Sequence, residues 1–293
     1  MPLIEKTLVP NYSDSADKMI EPVAPCDDIL YFPGVESTRY MVVAAIPVDD
    51  ADAKISKEVM MGAGDNIYAS KDNLYVAESK YGWYWANDDK EETVVNKFSL
   101  NRDEIKYLGK GTVPGTILNQ FSMDEYENHF RIATTLGDVW DSENPSTNNL
   151  YILDSDLRQT GSIEGIAPGE KIYSVRFMEG RAYIVTFKKV DPFFVIDVAN
   201  PSSPKILGKL KIPGYSDYLH PLDENHIIGF GKEAEDASVE DVEARDLDFA
   251  WYQGMKIAMF DVTDVSDPKE LYKEVIGDRG TDSPLLTNHK ALM

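Results

Sequence analysis

A tripeptide ending in Pro-Gly recurs along the chain and sets the terms for everything else. Val113-Pro114-Gly115 returns as Ala167-Pro168-Gly169 and as Ile212-Pro213-Gly214, with glycines 54 residues apart (115 to 169) and then 45 (169 to 214). Weaker echoes stand at Met61-Gly62 and Ile276-Gly277. Proline pre-sets φ and glycine accepts positive φ, so each copy reads as a turn. A second repeat lies in the same frame. DVANPSSPKILGKLKI starts at Asp197 and DVTDVSDPKELYKEVI starts at Asp261, with Asp, Val, Ser, Pro and Lys in register. Each copy follows an apolar run and leads through a polar turn into a segment opened by proline. Proline is tolerated in strands at their start or on a sheet edge, so that segment is expected to be an outer strand.

Between these landmarks lie short strand-like runs, four per unit. After Gly169 come KIYSVRFM, RAYIVTF, FFVIDV and PKILGKLKI, here named strands A, B, C and D. The same order fits NIYAS, NLYVAES, TVVNKFSL and EIKYLGKG. It fits TILNQFSM, HFRIATT, NLYILDS and QTGSIEG, and again YSDYLHP, NHIIGFG, MKIAMFDV and PKELYKEVI. Apolar residues show no sustained helical period, and 16 tyrosines and 11 phenylalanines suit strands. Four strands in roughly 40–55 residues is the signature of a propeller blade. The fold class expected is therefore all-β, a β-propeller of four-stranded antiparallel blades. The blades are placed at about 62–111, 112–165, 166–212 and 213–276. A partial blade at 29–61 supplies strands C and D, and a partial blade at 277–293 supplies a strand A from LLTNHKALM. Residues 1–28 read as an irregular segment, and 233–248 as a short acidic helix or loop. The parent ring is expected to be larger, or to close as five blades by sharing strands from both ends. Open strand edges would invite self-association.

Taken together, several strings resemble a known family: KIYSVRFMEGRAYIVTF, VDPFFVIDV, IPGYSDYLHPLDENHIIGFGK, YQGMKIAMFDV and VIGDRG, with ASKDNLYVAESKY and LNQFSMDEYENHFRIATT. The family is the bacterial and archaeal secreted proteins with a C-terminal β-propeller distantly related to WD repeats. The resemblance runs from about Tyr31 to the end. It implies a propeller and a secreted or cell-surface setting, and it brings no catalytic residues. The first 28 residues have neither a basic nor an apolar leader region, so a signal segment is absent from this stretch. No apolar run approaches the length of a membrane span.

The chemistry-bearing residues are then placed by the blade register. In a propeller the B–C and D–A connections emerge on one face. All four tryptophans fall in B–C connections: Trp83 and Trp85, Trp140, and Trp251, the last followed by Tyr252. A shared aromatic face is a candidate surface for a protein or glycan, and the alternative is that each ring packs its own insert onto its blade. Strand A lines the axis and brings polar residues there, Arg176, Asp217 and His220 foremost, with Asn119, Gln120, Ser174, Asn288 and His289. A channel mouth is a common ligand site, although these groups would also satisfy one another. The net charge of −22 argues against nucleic acid as a partner.

No catalytic motif is present. The four histidines lack metalloprotease spacing, there is no G-x-S-x-G, P-loop or dinucleotide fingerprint, and the single cysteine, Cys26, has no histidine near it in sequence. No cofactor is expected. Acidic clusters at Asp49, Asp50 and Asp52, at Asp88, Asp89, Glu91 and Glu92, and at Asp154 and Asp156 would be the places for a loop calcium ion, but none has EF-hand spacing. The leading expectation is an extracellular or cell-surface binding or scaffold module without catalysis. The alternatives are a hydrolase or lyase at the channel mouth, and a structural spacer.

Overall fold

The computed structural model describes residues 9–13, 20–31, 39–50, 54–62, 64, 66–81, 91–101, 104–141, 143–188, 190–236 and 250–292. The chain forms two compact units. One is Met1–Glu78 with Val94–Gly111, and the other is Ser79–Thr93 with Thr112–Met293.

The first unit opens with β1 (Asn11–Ser13) and β2 (Ile20–Pro22), which pair antiparallel. β3 (Ile29–Leu30), β4 (Tyr40–Ala45) and β5 (Ser56–Met61) come next as a sheet of order β3-β5-β4. β4 and β5 are the strands C and D expected there, and β3 adds itself parallel to the outer edge of β5. Residues 1–28 are thus not wholly irregular. The β1–β2 hairpin forms because Val9 and Val23, flanking it, bury themselves against Val59. β6 (Asn66–Ala69), β7 (Asn73–Lys80), β8 (Glu92–Asn101) and β9 (Glu104–Pro114) make the first full four-stranded sheet.

Three more sheets of the same meander order lie in the second unit. The first of them is β10 (Met123–Tyr126), β11 (His129–Leu136), β12 (Thr147–Leu153) and β13 (Gln159–Ile166). The next is β14 (Lys171–Met178), β15 (Arg181–Phe187), β16 (Val190–Asp197) and β17 (Lys205–Pro213). The last is β18 (Tyr215–Pro221), β19 (His226–Asp236), β20 (Ala250–Asp261) and β21 (Lys269–Ile276). β17 and β21, the segments opened by proline, are edge strands in this order.

Packing between these sheets explains the composition of their middle strands. In β15, Ala182 and Ile184 face the preceding sheet and meet Ala133, Leu150 and Ile152. The alternate residues Tyr183 and Val185 face the following sheet and meet Leu219, Ile227 and Phe260. Both faces are buried, so RAYIVTF is a continuous apolar run rather than an alternating one. Each such Val, Leu, Ile or Phe contributes roughly 1.5–3 kcal/mol by leaving water.

Three expectations are corrected. TILNQFSM does not form a strand along its length. Asn119 accepts a hydrogen bond from the Phe121 N–H at 2.9 Å, winding Gln120–Ser122 into a 3₁₀ turn and delaying β10 to Met123. LLTNHKALM is not a strand A but two 3₁₀ turns, Pro284–Leu286 and His289–Ala291. Pro284 lacks a ladder donor, and the Ser283 and Asn288 side chains cap the two turns by accepting from Leu285 and Lys290 N–H groups. Leu285, Leu286 and Leu292 instead pack on Tyr218, Phe230 and Met255. Of the stretch 233–248, residues up to Asp236 continue β19 as a strand, and the remainder lies outside the described residues.

Candidate functional site

The second unit holds a concavity of about 860 Å³, built where several strand ends and connections meet. Its aromatic floor comes from β14, β15 and β20, backed by the buried Tyr215 of β18. Tyr173 lies 4.5 Å from Tyr215 between ring centroids, Phe187 lies 4.9 Å from Tyr215, and Tyr252 stands edge-on to Tyr215 at 5.2 Å. The Tyr173 and Tyr252 hydroxyls are 3.5 Å apart. Tyr173 reaches this place because β14 shifts register between Ile172 and Ser174, an extra residue that re-aims one side chain. β18 shifts at the equivalent point, between Ser216 and Tyr218, where the intervening residue is Asp217.

The walls carry two tryptophans. Trp140, in the connection between β11 and β12, is 56% exposed, and the Lys188 Nζ at the end of β15 sits 5.4 Å from its ring centroid. Trp251 opens β20, with the Arg279 guanidinium 4.1 Å from its ring. Lys171 Nζ is 5.2 Å from the Tyr173 ring. Two carboxylates line the same space and are held by backbone: Glu91 accepts from the Gly137 N–H, and Asp138 from the Trp140 N–H at 2.9 Å.

Trp140, Trp251 and Tyr252 therefore share one concavity, while Trp83 and Trp85 lie outside the described residues. Trp251 belongs to the start of strand C rather than to a loop. Arg176 and His220 are not lining residues. They occur beside a second cluster, in which the Arg176 guanidinium is 5.5 Å from the Phe121 ring and the Tyr218 hydroxyl is 3.2 Å from His220 Nδ1. His289 packs edge-on to Phe121 at 4.8 Å, and its Nδ1 is 3.3 Å from Gln120 Nε2. Ser174 donates to the Ser216 carbonyl at 2.6 Å, while the buried Arg176 Nε has no hydrogen-bond partner among the described residues.

Burial pushes the Asp217 carboxyl up to about 7; Lys232 pulls it down and Asp282 raises it further. Burial also raises the Tyr173 hydroxyl far above the ordinary range, with contributions from Tyr252, Tyr215 and Asp217. Asp154 is occupied by the Asp156 and Arg158 N–H groups at 2.9 Å, and Asp156 pairs with Arg158 at 3.0 Å. Asp52, Asp88 and Asp89 lie outside the described residues. Among the described residues no group of three or more His, Cys, Asp or Glu is gathered as a metal site.

A profile of the beta propeller domain matches residues 3–293. The chain belongs to the beta propeller domain family. Among its relatives, the uncharacterized protein MJ1554 of Methanocaldococcus jannaschii is 46% identical over 183 residues, 62% of this chain and 26% of that one. An uncharacterized protein of Archaeoglobus fulgidus is 38% identical over 230 residues, 76% of this chain and 32% of that one. The propeller chain thus spans about a quarter to a third of the length of these relatives. Solved structures similar to it include a subtype N10 neuraminidase-like protein of A/little yellow-shouldered bat/Guatemala/060/2010, at TM-score 0.41 and 10% identity, covering 76% of this chain and 70% of that one. A crystal structure of the eukaryotic initiation factor gives TM-score 0.36 at 11% identity, covering 81% and 52%.

Sequence reasoning missed most of the propeller's concavity. Tyr173 and Phe187 looked like ordinary strand residues, and only the bulge in β14 separates Tyr173 from its neighbours. Lys171 opens β14, Lys188 follows β15 and Arg279 follows β21, 17 and 91 residues apart in sequence (171 to 188, 188 to 279). The B–C register was the one signal that could point there, and it reached only the tryptophans and Tyr252.

Proposed function

We propose that this propeller is a non-catalytic binding module, extracellular or at the cell surface, which holds a glycan in the concavity of its second unit. The observation that carries the reading is the pairing of an exposed Trp140 with Trp251 and Tyr252 around about 860 Å³ of space beside Tyr173 and Phe187. Flat aromatic rings offer large contact area at low entropic cost, and the tyrosine hydroxyls and loop backbone supply polar contacts for sugar hydroxyls. The secreted setting rests on the family resemblance of the sequence. The larger relatives leave the whole protein's activity to further domains or to this one.

A glycan array followed by isothermal titration tests the reading. Trp140→Ala and Trp251→Ala should each weaken a binding glycan by about 0.5–1.5 kcal/mol, roughly two- to tenfold in Kd. Trp140→Ala should leave the unfolding midpoint unchanged, because its ring is largely in water. Binding of a purified secreted protein in place of every glycan, with the same tryptophan dependence, would move the reading to a protein ligand. Unchanged glycan binding in both variants would sink the site.

A further inference from the structure

Three cations meet in the concavity of a strongly acidic chain. The protein carries 51 Asp and Glu against 29 Lys and Arg, yet Lys171, Lys188 and Arg279 all line this one space. Several cations elsewhere pair with carboxylates: Lys273 with Glu233 at 2.7 Å, Lys232 with Asp282 at 3.2 Å, Lys269 with Asp267 at 3.3 Å and Arg131 with Asp124. Among the described residues, none of the three lining cations has a carboxylate at ion-pair distance. The two carboxylates in the lining are turned to backbone N–H groups instead.

The three cations are also held in place. The Arg279 guanidinium lies 4.1 Å from the Trp251 ring centroid, a cation–π contact that holds at the wall a fork of N–H donors suited to a planar, two-oxygen acceptor. Lys188 donates one hydrogen to the Val139 carbonyl at 3.2 Å and keeps two more for a ligand. Lys171 is exposed and poised over Tyr173.

Resting on the glycan reading above, we propose that the ligand is an acidic saccharide, whose carboxylate is taken by Lys171, Lys188 and Arg279 while its ring stacks on the tryptophan walls. A short uronate fits better than a long polyanion. The protein's net charge of −22 repels an extended anion at a distance, whereas contact pairs within the concavity lie inside the ~8 Å screening length of physiological salt.

The test is calorimetric titration with uronate disaccharides ending in glucuronate, galacturonate or mannuronate. Each is compared with the neutral disaccharide that has a hydroxymethyl group in place of the carboxylate. At least one acid should bind about tenfold or more tighter than its neutral counterpart. That gap should close in the K171Q/K188Q/R279Q variant, the acid losing more affinity than the neutral sugar does. Should the triple variant fail to fold, Arg279→Gln alone, at an exposed position, should narrow the gap about threefold or more. Equal binding of acid and neutral sugar overturns the charge inference and leaves the glycan reading standing. Binding of neither overturns both.

Discussion

Asp217 keeps its proton up to about pH 7 because it is buried at the bulge of β18, close to Tyr173, Lys232 and Asp282. A carboxyl whose folded pKa is raised binds its proton more tightly in the folded state. Its burial therefore costs nothing below about pH 4, and the cost grows as pH rises to about 7. Asp217→Asn should remove that slope and raise stability above pH 7 by on the order of 2 kcal/mol once its partial exposure is discounted. Urea unfolding at pH 4 and pH 8 checks this, and equal effects at both would refute it. Arg131 is the opposite case. Its side chain is 2% exposed, paired with Asp124 across β10 and β11, donating to the Glu179 carbonyl and flanked by Tyr126 and Phe177 at about 5 Å. Arg131→Met should cost roughly 3–5 kcal/mol, since the Asp124 carboxylate is left without its cation. A denaturation curve for the R131M/D124L pair should recover most of the loss. Asp217 stood out in sequence only as an axial polar residue and Arg131 not at all, since burial of a charge depends on what the neighbouring sheet places around it.

At the scale of the element, the repeats of the sequence encode turns. The three Pro-Gly copies hold Gly115, Gly169 and Gly214 at φ of +83°, +82° and +81°. The Asp197 and Asp261 copies are paired side-chain turns. Asp197 accepts from the Ala199 N–H at 3.0 Å and Asp261 from Thr263 at 2.8 Å; then Asn200 and Asp264 accept from Ser202 and Ser266. Local hydrogen bonds of this kind need only a few consecutive residues, which is why the blade period was legible. The packing around each turn was not legible in the same way. A Cβ on Gly214 would stand 2.3 Å from the Lys232 carbonyl, while one on Gly169 would meet nothing closer than Pro145 at 4.0 Å. Gly169→Ala should therefore cost about 1 kcal/mol for its backbone conformation, and Gly214→Ala clearly more. Comparing the two thermal midpoints checks this, and equal losses would show that the contact with β19 yields freely. The failed strand expectations belong here too. TILNQFSM and LLTNHKALM have strand-like apolar content, but asparagine and serine side chains capture nearby N–H groups and wind both into 3₁₀ turns.

For the whole molecule, the net charge of −22 acts as self-repulsion in the compact state. Raising salt from about 0.01 M to 0.15 M shortens the screening length from ~30 to ~8 Å, so the thermal midpoint should rise over that range. A flat midpoint would mean the surface charges are already balanced locally. Screening should also favour self-association, which we propose occurs through β21. Tyr272 is 73% exposed there and Ile276 47%, on an edge strand with exposed side chains over most of its length. Sedimentation velocity should show monomer at low salt and dimer at high salt, and Tyr272→Lys should keep the protein monomeric. Dimers unaffected by that substitution would place the contact elsewhere.

The sequence by itself determined the blade: its four strands, its edge strand opened by proline, its glycine turns and the continuous apolar runs of strands buried on both faces. These arise from local conformational preference and from a period repeated several times. Only the tertiary structure decided the site. The bulges that swing Tyr173 and Asp217 out of register, the gathering of Lys171, Lys188 and Arg279, and the packing of the 284–292 turns on Tyr218 and Phe230 all depend on residues far apart in sequence. No local preference encodes them, because each exists only once neighbouring sheets have packed.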